Sequence, residues 1–488
     1  MKILLLNPPF KHKLGRFSRE QRSPAITKSG TFYYPMWLCY ATAMLEDAGY
    51  ECFLIDAPAL QKSFEDIFDE IKDRRFQLII VNTSTPSILN DCQIAQELKK
   101  HFNAFTVLVG THPSALPEES LKIVPGIDAV ARGEYETTLL ELADCLSNGV
   151  TPNFEVLKKI DGLSFSTTGN IYNNNDRALN NDLDSFPFVS TIYKKYLNYT
   201  NYFYSHSKYP IVTIITGRGC PHRCVYCVYP QVFSGRKLRY RSVSNVVDEI
   251  EYILENFTDV KEIMFEDDTL TINKRRCIEF AEEIIRRNVK FIWSANSRCD
   301  VDLETMQTLK NAGARLFCIG VESGVQKILD NMKKNLKVER IRQFFKDAKK
   351  AGILIHGCFL VGNPGETKAT LENTLEFAKE LNPDTAQFFP IMVYPGTEAY
   401  NWAKENGYLT TQNFEEWLTS DGLHNCIVSR PGLSAKDLVD FCDRARKEFY
   451  LRPKYILSKG LQSLKDPYEF KRLMKGALTL SKHIFSEN

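Results

Sequence analysis

Gly217-Arg-Gly-Cys220-Pro-His-Arg-Cys224-Val-Tyr-Cys227 decides how this chain is read. The stretch follows an apolar strand pattern, Pro210–Thr216, so its cysteines sit in a strand-end loop opened by two glycines. With 13 cysteines in 488 residues, a Cys-x3-Cys-x2-Cys spacing is expected by chance only about 0.01 times. Thiolates ligate iron strongly, and iron–sulfur clusters are usually held by four of them. Three ligands from one tight loop leave one iron open to bind a substrate or cofactor and pass it an electron. The rival reading is a structural zinc site completed by His222 or a distant cysteine, although no second pair of zinc-type spacing is present. Three packed core cysteines is the plainest alternative.

Outward from this loop, a βα series runs through candidate strands Pro210–Thr216, Glu262–Asp267, Phe291–Ser294, Leu316–Glu322, Leu354–Val361 and Ala386–Val393, with helical patterns between them. Six such units predict an open, three-quarter βα barrel over residues 205–400, with chemistry at the carboxyl ends of its strands. Upstream, residues 1–146 also alternate strand and helix, and Gln77–Asn82 is the continuous apolar run of a strand buried on both faces. This predicts a doubly wound parallel sheet with its ligand loops after the strands. Residues 147–204 read as a linker with one short hairpin near Gly162–Ser166 and Asn170–Tyr172, and residues 401–488 as a mainly helical region. The fold class is therefore α/β with a helical C-terminal region.

Composition excludes several classes. No apolar run reaches the roughly 18 residues of a membrane span. The net charge of +2 gives no general attraction to nucleic acid. Thirteen cysteines without a secretory signal point to a reducing cytosol. The charge is uneven, with basic residues far outnumbering acidic ones between Arg444 and Lys482. There Arg452, Lys454, Lys459, Lys465, Lys471 and Lys475 stand among Tyr455, Ile456, Leu457, Leu461, Phe470 and Leu473. A basic amphipathic helix of this kind suits either an anionic membrane surface or packing against the barrel.

The triplet, with aromatic Tyr226 before its third cysteine, resembles the radical S-adenosylmethionine (SAM) superfamily. The resemblance implies a 4Fe–4S cluster on Cys220, Cys224 and Cys227, whose open iron chelates SAM and whose electron cleaves it to a 5′-deoxyadenosyl radical. Other landmarks follow in register. Glu266-Asp267-Asp268 ends the second barrel strand, where the family places acids near the methionine amine. Arg298 ends the third strand and suits a carboxylate. Gly320-Val-Glu322-Ser323-Gly324 resembles the segment that reaches the ribose or carboxylate, and Gly362-Asn-Pro364-Gly-Glu-Thr367 the one near adenine. Tyr226, Glu266, Asp267, Asp268, Arg298, Glu322, Ser323, Gly362 and Pro364 are thus the expected SAM contacts.

Within that superfamily, an N-terminal doubly wound domain resembles the cobalamin-binding module. Here the resemblance rests on four strand-end loops, which supply Asn7 and Pro8, then Thr83, Ser84 and Thr85, then Gly110, Thr111 and His112, then Gly133 and Glu134. The Asp-x-His-x-x-Gly loop of other cobalamin proteins is absent, so the resemblance implies a corrin without a histidine ligand from below, and His112 beside Pro113 reads as a turn residue. A domain that kept this fold without cobalamin is the alternative. The implied reaction is methyl transfer from methylcobalamin to an unactivated carbon opened by the deoxyadenosyl radical. Radical cyclisation, rearrangement or anaerobic oxidation, with or without the corrin, is the runner-up. The implied partners are a small-molecule or lipid substrate and a one-electron donor such as flavodoxin or ferredoxin.

Overall fold

The computed structural model describes residues 1–10, 15–20, 23–147 and 152–463. Its first sheet has seven strands: β1 Lys2–Asn7, β2 Glu51–Asp56, β3 Leu78–Asn82, β4 Phe105–Val109, β5 Ala129–Ala131, β6 Leu163–Thr167 and β7 Asn170–Asn173, in the order β2-β1-β3-β4-β5-β6-β7. The first five are parallel. Successive residues of β1 enter opposite cores: Ile3 and Leu5 join one, Leu4 and Leu6 the other. Burial on both faces is why the strand is apolar throughout. The order reverses between β1 and β3, and a doubly wound sheet binds ligands at such a point.

The hairpin β6–β7 is not a separate linker element. It adds two antiparallel strands to the edge left by β5, which is only three residues long. The N-terminal module therefore runs past residue 146, because the unpaired backbone of β5 needs a partner.

The second sheet contains β8 Ile211–Ile214, β11 Glu262–Phe265, β12 Trp293–Ser297, β13 Ala314–Gly320, β14 Leu354–Val361 and β15 Thr385–Pro390, all parallel and in sequential order. A ribbon of β9 Gly217–Arg218 and β10 Arg239–Tyr240 frames the cysteine loop. The outer edge at β15 is closed by the helix Ala435–Tyr450: the Tyr450 hydroxyl donates to Ala386 O at 2.8 Å and accepts from its N–H at 2.9 Å.

Helix Met36–Asp47 lies between the modules, and nine of its twelve residues are buried. One continuous core runs from β1 through Trp37, Tyr135 and Phe233 to the barrel strands, so the two halves are packed as one body. Among the described residues no helix is long and apolar enough to cross a membrane. The basic C-terminal pattern is described only as far as the helix Pro453–Ser463. Lys465, Lys471, Phe470, Leu473 and Lys475 lie outside the described residues.

Candidate active site between the two modules

Backbone hydrogen bonds hold the cysteine loop. Gly219 has φ +90°, and a Cβ there would stand 2.2 Å from Lys237 O, so only glycine lets the ribbon close. Cys220 N–H donates to Gly235 O at 3.2 Å, and Val225 N–H to Met332 O at 3.1 Å. Gln231 Nε2 reaches Cys227 O at 2.7 Å, while its Oε1 accepts from Glu398 N–H at 3.1 Å, tying the loop to the end of the barrel. Cys224 is buried, and Cys220 and Cys227 are half-buried. Among the described residues, no three His, Cys, Asp or Glu side chains converge as a mononuclear ion requires. A cubane cluster makes no such demand, because each thiolate binds a different iron. The donor set, three cysteines on one loop beside a polar interior, fits a cluster with one open iron.

Behind the loop stands a group the sequence reading saw only in part. Tyr226 OH donates to Glu322 Oε1 at 2.8 Å, and Lys334 Nζ reaches the same oxygen at 2.8 Å and the Tyr226 hydroxyl at 3.1 Å. Lys334 is buried, and despite that burial the facing Glu322 and Cys224 raise its pKa, keeping it cationic. Arg298 donates to Lys334 O at 2.6 Å, and its buried Nε makes no directed hydrogen bond. Glu322 has φ +67°, a strained backbone for a non-glycine residue that the surrounding contacts must hold. Lys334 and Gln231 carry no motif. A lysine in a basic stretch between two helices signals nothing until its burial is known.

The acidic motif divides its work. Asp267 turns inward, accepting from Thr216 N–H at 3.0 Å and Thr216 Oγ1 at 2.8 Å, and burial raises its pKa to about 6. Asp268 accepts from Ser234 Oγ at 2.9 Å. Glu266 accepts from Asn296 Nδ2 at 3.1 Å. Ser323 Oγ meets Thr374 Oγ1 at 3.1 Å and accepts from Val325 N–H at 3.2 Å. In the loop after β14, Gly362 has φ +96° and Pro364 O accepts from Asn331 Nδ2 at 2.9 Å.

In that loop Glu366 accepts from the backbone N–H groups of Gly362 and Asn363. Burial pushes its carboxyl up to about 7, against the hydrogen bonds that favour the ionised form. The folded chain therefore holds this proton more tightly than the unfolded chain, whose value is 4.5. The associated stability is full below the unfolded value and is lost as pH rises through about 7. Glu366→Gln is expected to flatten that decline, read as melting temperature by circular dichroism between about pH 5 and about pH 8. An unchanged pH profile in the variant would count against the assignment.

The candidate corrin loops all lie at the carboxyl end of the first sheet. Arg19, which the sequence did not single out, organises them. It is buried, pairs with Asp91 at 2.6 Å, and donates to Asn7 Oδ1 at 3.1 Å and Pro8 O at 2.7 Å. Gly110 has φ +119°, and a Cβ would stand 2.1 Å from Thr83 O, so β3 and β4 end in a close backbone approach. Ser84 Oγ contacts Ser87 Oγ at 2.9 Å. Thr111 opens the turn Thr111–Ala115, in which His112 is buried with Nδ1 3.2 Å from Thr85 Oγ1 and its ring edge-on to Phe414. Burial lowers its pKa to about 3, so the imidazole is neutral. Thr83 Oγ1 and His112 Nε2 are buried and have no hydrogen-bond partner among the described residues. Unsatisfied polar atoms above a glycine-lined sheet end are what a bound polar cofactor would complete.

Gly133 and Glu134 stand differently. Gly133 N–H donates to Ser114 Oγ at 2.9 Å, but the Glu134 carboxylate is taken by Arg239, at 2.6 and 2.8 Å, with Arg218 at 3.4 Å. Arg218 Nη2 also lies 2.8 Å from Glu136 Oε1, an ionic contact whose angle is off the hydrogen-bond line. The Arg218 guanidinium sits over Trp37, Tyr40 and Phe186. Glu134 thus clamps the N-terminal sheet to the ribbon carrying the cysteine loop, two residues from Cys220.

Two α/β modules with opposed ligand ends, one bearing a three-cysteine loop and the other a glycine-lined sheet end, define a two-cofactor enzyme. Residues 214–378 match the model of the radical SAM superfamily, and residues 22–143 that of the B12 binding domain. The chain is 32% identical over 487 residues to an uncharacterized methyltransferase of Pyrococcus horikoshii, covering 98% of both. It is 28% identical to the anaerobic magnesium-protoporphyrin IX monomethyl ester cyclase of Cereibacter sphaeroides, over 86% of this chain and 67% of that one. The fold matches the radical SAM methyltransferase TsrM of Kitasatospora setae, a structure with cobalamin and a 4Fe–4S cluster bound, with TM-score 0.66, 19% identity, and 84% and 79% of the chains covered. The chain belongs to the radical SAM superfamily, in its cobalamin-binding branch, and is an enzyme of that class. Its cofactors are accordingly a 4Fe–4S cluster, SAM and cobalamin.

Proposed function

We propose that this enzyme transfers a methyl group to an unactivated carbon of a small molecule held between its two modules. The observation that carries the reading is the clamp of Glu134 on Arg218 and Arg239, which turns the sheet end of one module toward the cysteine loop of the other. When bound, the cluster supplies the electron that cleaves SAM, and cobalamin supplies the methyl group. The protein's part is positional. Cys220, Cys224 and Cys227 hold iron, and Tyr226, Glu322, Lys334 and Arg298 form a polar wall behind them suited to the charged methionine end of SAM. Glu266, Asp268, Ser323, Gly362 and Pro364 line strand ends where the rest of that molecule would lie. Asn7, Pro8, Thr83, Ser84, Thr85, Gly110, Thr111, His112 and Gly133 cradle the corrin. Asp267 acts from the second row by fixing β8 to β11.

The cyclase relative supports a second reading, ring formation from the same radical start. Two measurements on anaerobically reconstituted protein decide. Corrin content is expected at about one per chain, and a protein that retains no corrin after refolding with cobalamin ends the methyl-transfer reading. Product mass separates the rest: gain of one CH2 per turnover for methylation, loss of two hydrogens for cyclisation. A lipid substrate met at an anionic membrane is the finer proposal, supported by the exposed Leu451, Ile456 and Leu457 around the last described helix. Flotation with anionic vesicles at low salt tests it, and a protein that stays in the pellet with them refutes it.

A further inference from the structure

Burial along the barrel strands is lopsided. In the central strands β13 and β14, the outward residues Phe317, Ile319, Phe359 and Val361 are fully buried. Their inward neighbours Cys318, His356 and Cys358 are only half-buried. A central strand has no free edge and its outer face here is covered, so the exposure of Cys318 and Cys358 comes from space inside the barrel. In a closed βα barrel, layers of side chains fill that space. Here it opens sideways at the edge strand β15, where inward Gln387 is exposed and Phe389 half-buried, while outward Ala386 and Phe388 are buried. The opposite side is filled, with Tyr204, Ile211 and Met264 buried as one cluster. Tyr33 and Cys318, both half-buried, pack against that cluster, and the Tyr33 ring lies 4.5 Å from that of Tyr204.

The side chains of Tyr33, Cys318, His356, Cys358, Gln387 and Phe389 include no ammonium, guanidinium or carboxylate. Charges at the ends of the compartment are already occupied. Arg315, near the start of β13, is held by Glu262 at 2.7 and 2.9 Å. Glu266, just past β11, accepts from Asn296 Nδ2 at 3.1 Å and from the Tyr204 hydroxyl. Burial pushes the Cys318 thiol well up, and Cys358 and Glu266 act in the same sense, so that thiol is neutral. A charged group entering here would lose water without gaining a counter-ion, whereas hydrocarbon would gain by leaving water. We propose that this compartment binds an uncharged hydrocarbon part of the substrate, which enters sideways past Gln387. The inference rests on the reading of the barrel as the seat of a radical methyl transfer and deepens it, because hydrocarbon is where an unactivated carbon lies. A concave site lined mostly by apolar and aromatic side chains, with a few polar atoms at its mouth, is the usual form of a small-molecule pocket.

The test is anaerobic equilibrium dialysis of the full-length, reconstituted enzyme, with SAM present, against three probes of one shape. These are neutral 2-naphthol, anionic naphthalene-2-sulfonate and cationic 2-naphthylmethylammonium. The neutral probe is expected to bind at about one per chain and at least about tenfold more tightly than either charged one. Gln387→Trp, which puts an indole in the mouth from an exposed position, is expected to weaken naphthol binding by about tenfold or more, with a circular dichroism melt near that of wild type. Charged probes that bind as tightly as naphthol overturn the proposal. So does naphthol binding that Gln387→Trp leaves unchanged, since the probe would then sit elsewhere, and so does its loss on adding SAM, since the compartment would then be part of the SAM site. If Gln387→Trp does not fold, Cys358→Leu, which fills the same space from β14, is judged by the same criteria. Iron content and SAM cleavage measured on the same samples report separately on the radical reading, which fails if wild type shows neither.

Discussion

Anaerobically reconstituted protein in which Cys220, Cys224 and Cys227 are all replaced by alanine is expected to lose about four irons per chain and all cleavage of SAM to 5′-deoxyadenosine. Both losses follow from one cause. The three thiolates are the only side chains on this loop that bind iron strongly, and its geometry is set by backbone bonds that alanine leaves in place, such as Cys220 N–H to Gly235 O. The variant should therefore fold, which a circular dichroism melt near that of wild type would show. Buried cysteines elsewhere, such as Cys92 and Cys277, are packed core residues whose thiols burial pushes well up, and they should be dispensable for iron. Full iron content in the triple variant would end the assignment.

The second large effect is expected at the clamp. Arg218→Ala leaves buried Glu134 with Arg239, takes from buried Glu136 the guanidinium it meets, and empties the slot between Trp37, Tyr40 and Phe186. Removing one partner from a buried ion pair typically costs about 3–5 kcal/mol, because the other charge stays desolvated. The variant should melt at clearly lower temperature than wild type. Arg218→Lys should recover only part of the loss, since an ammonium neither forks across two carboxylates nor stacks on the rings. Melting of Arg218→Ala together with wild type would show that the clamp contributes nothing. A stable clamp variant whose SAM cleavage continues while product formation falls would show that it sets one module against the other.

The fold was legible because its strands are. An apolar run such as Gln77–Asn82 is dictated by burial on both faces, and alternating helix patterns leave few other ways to arrange such strands. Strand ends were less legible. The pattern placed a strand at Phe291–Ser294, and the structure has it at Trp293–Ser297, because Trp293 backbone and ring pair with Gly313 and Ala312 carbonyls that no local pattern reveals. The hairpin at 163–173 was visible as a hairpin, but its membership of the first sheet depended on the short β5 needing an edge partner.

By itself the sequence determined the cysteine loop, the two α/β modules and the strand-end loops. These depend on covalent spacing and on side-chain period, both of which are local properties of the chain. Only the tertiary structure decided what the charged residues do. Glu134 looked like a loop residue available to a cofactor and is a clamp, Asp267 looked like its neighbours and is turned inward onto Thr216, and Arg19 and Lys334, which no motif singles out, are buried at the centre of the two candidate sites. A charged side chain takes its role from which opposite charge lies within reach and from how much water it has lost. Neither is set until residues far apart in the chain, such as Arg19 and Asp91 or Glu134 and Arg239, have been brought together by the fold.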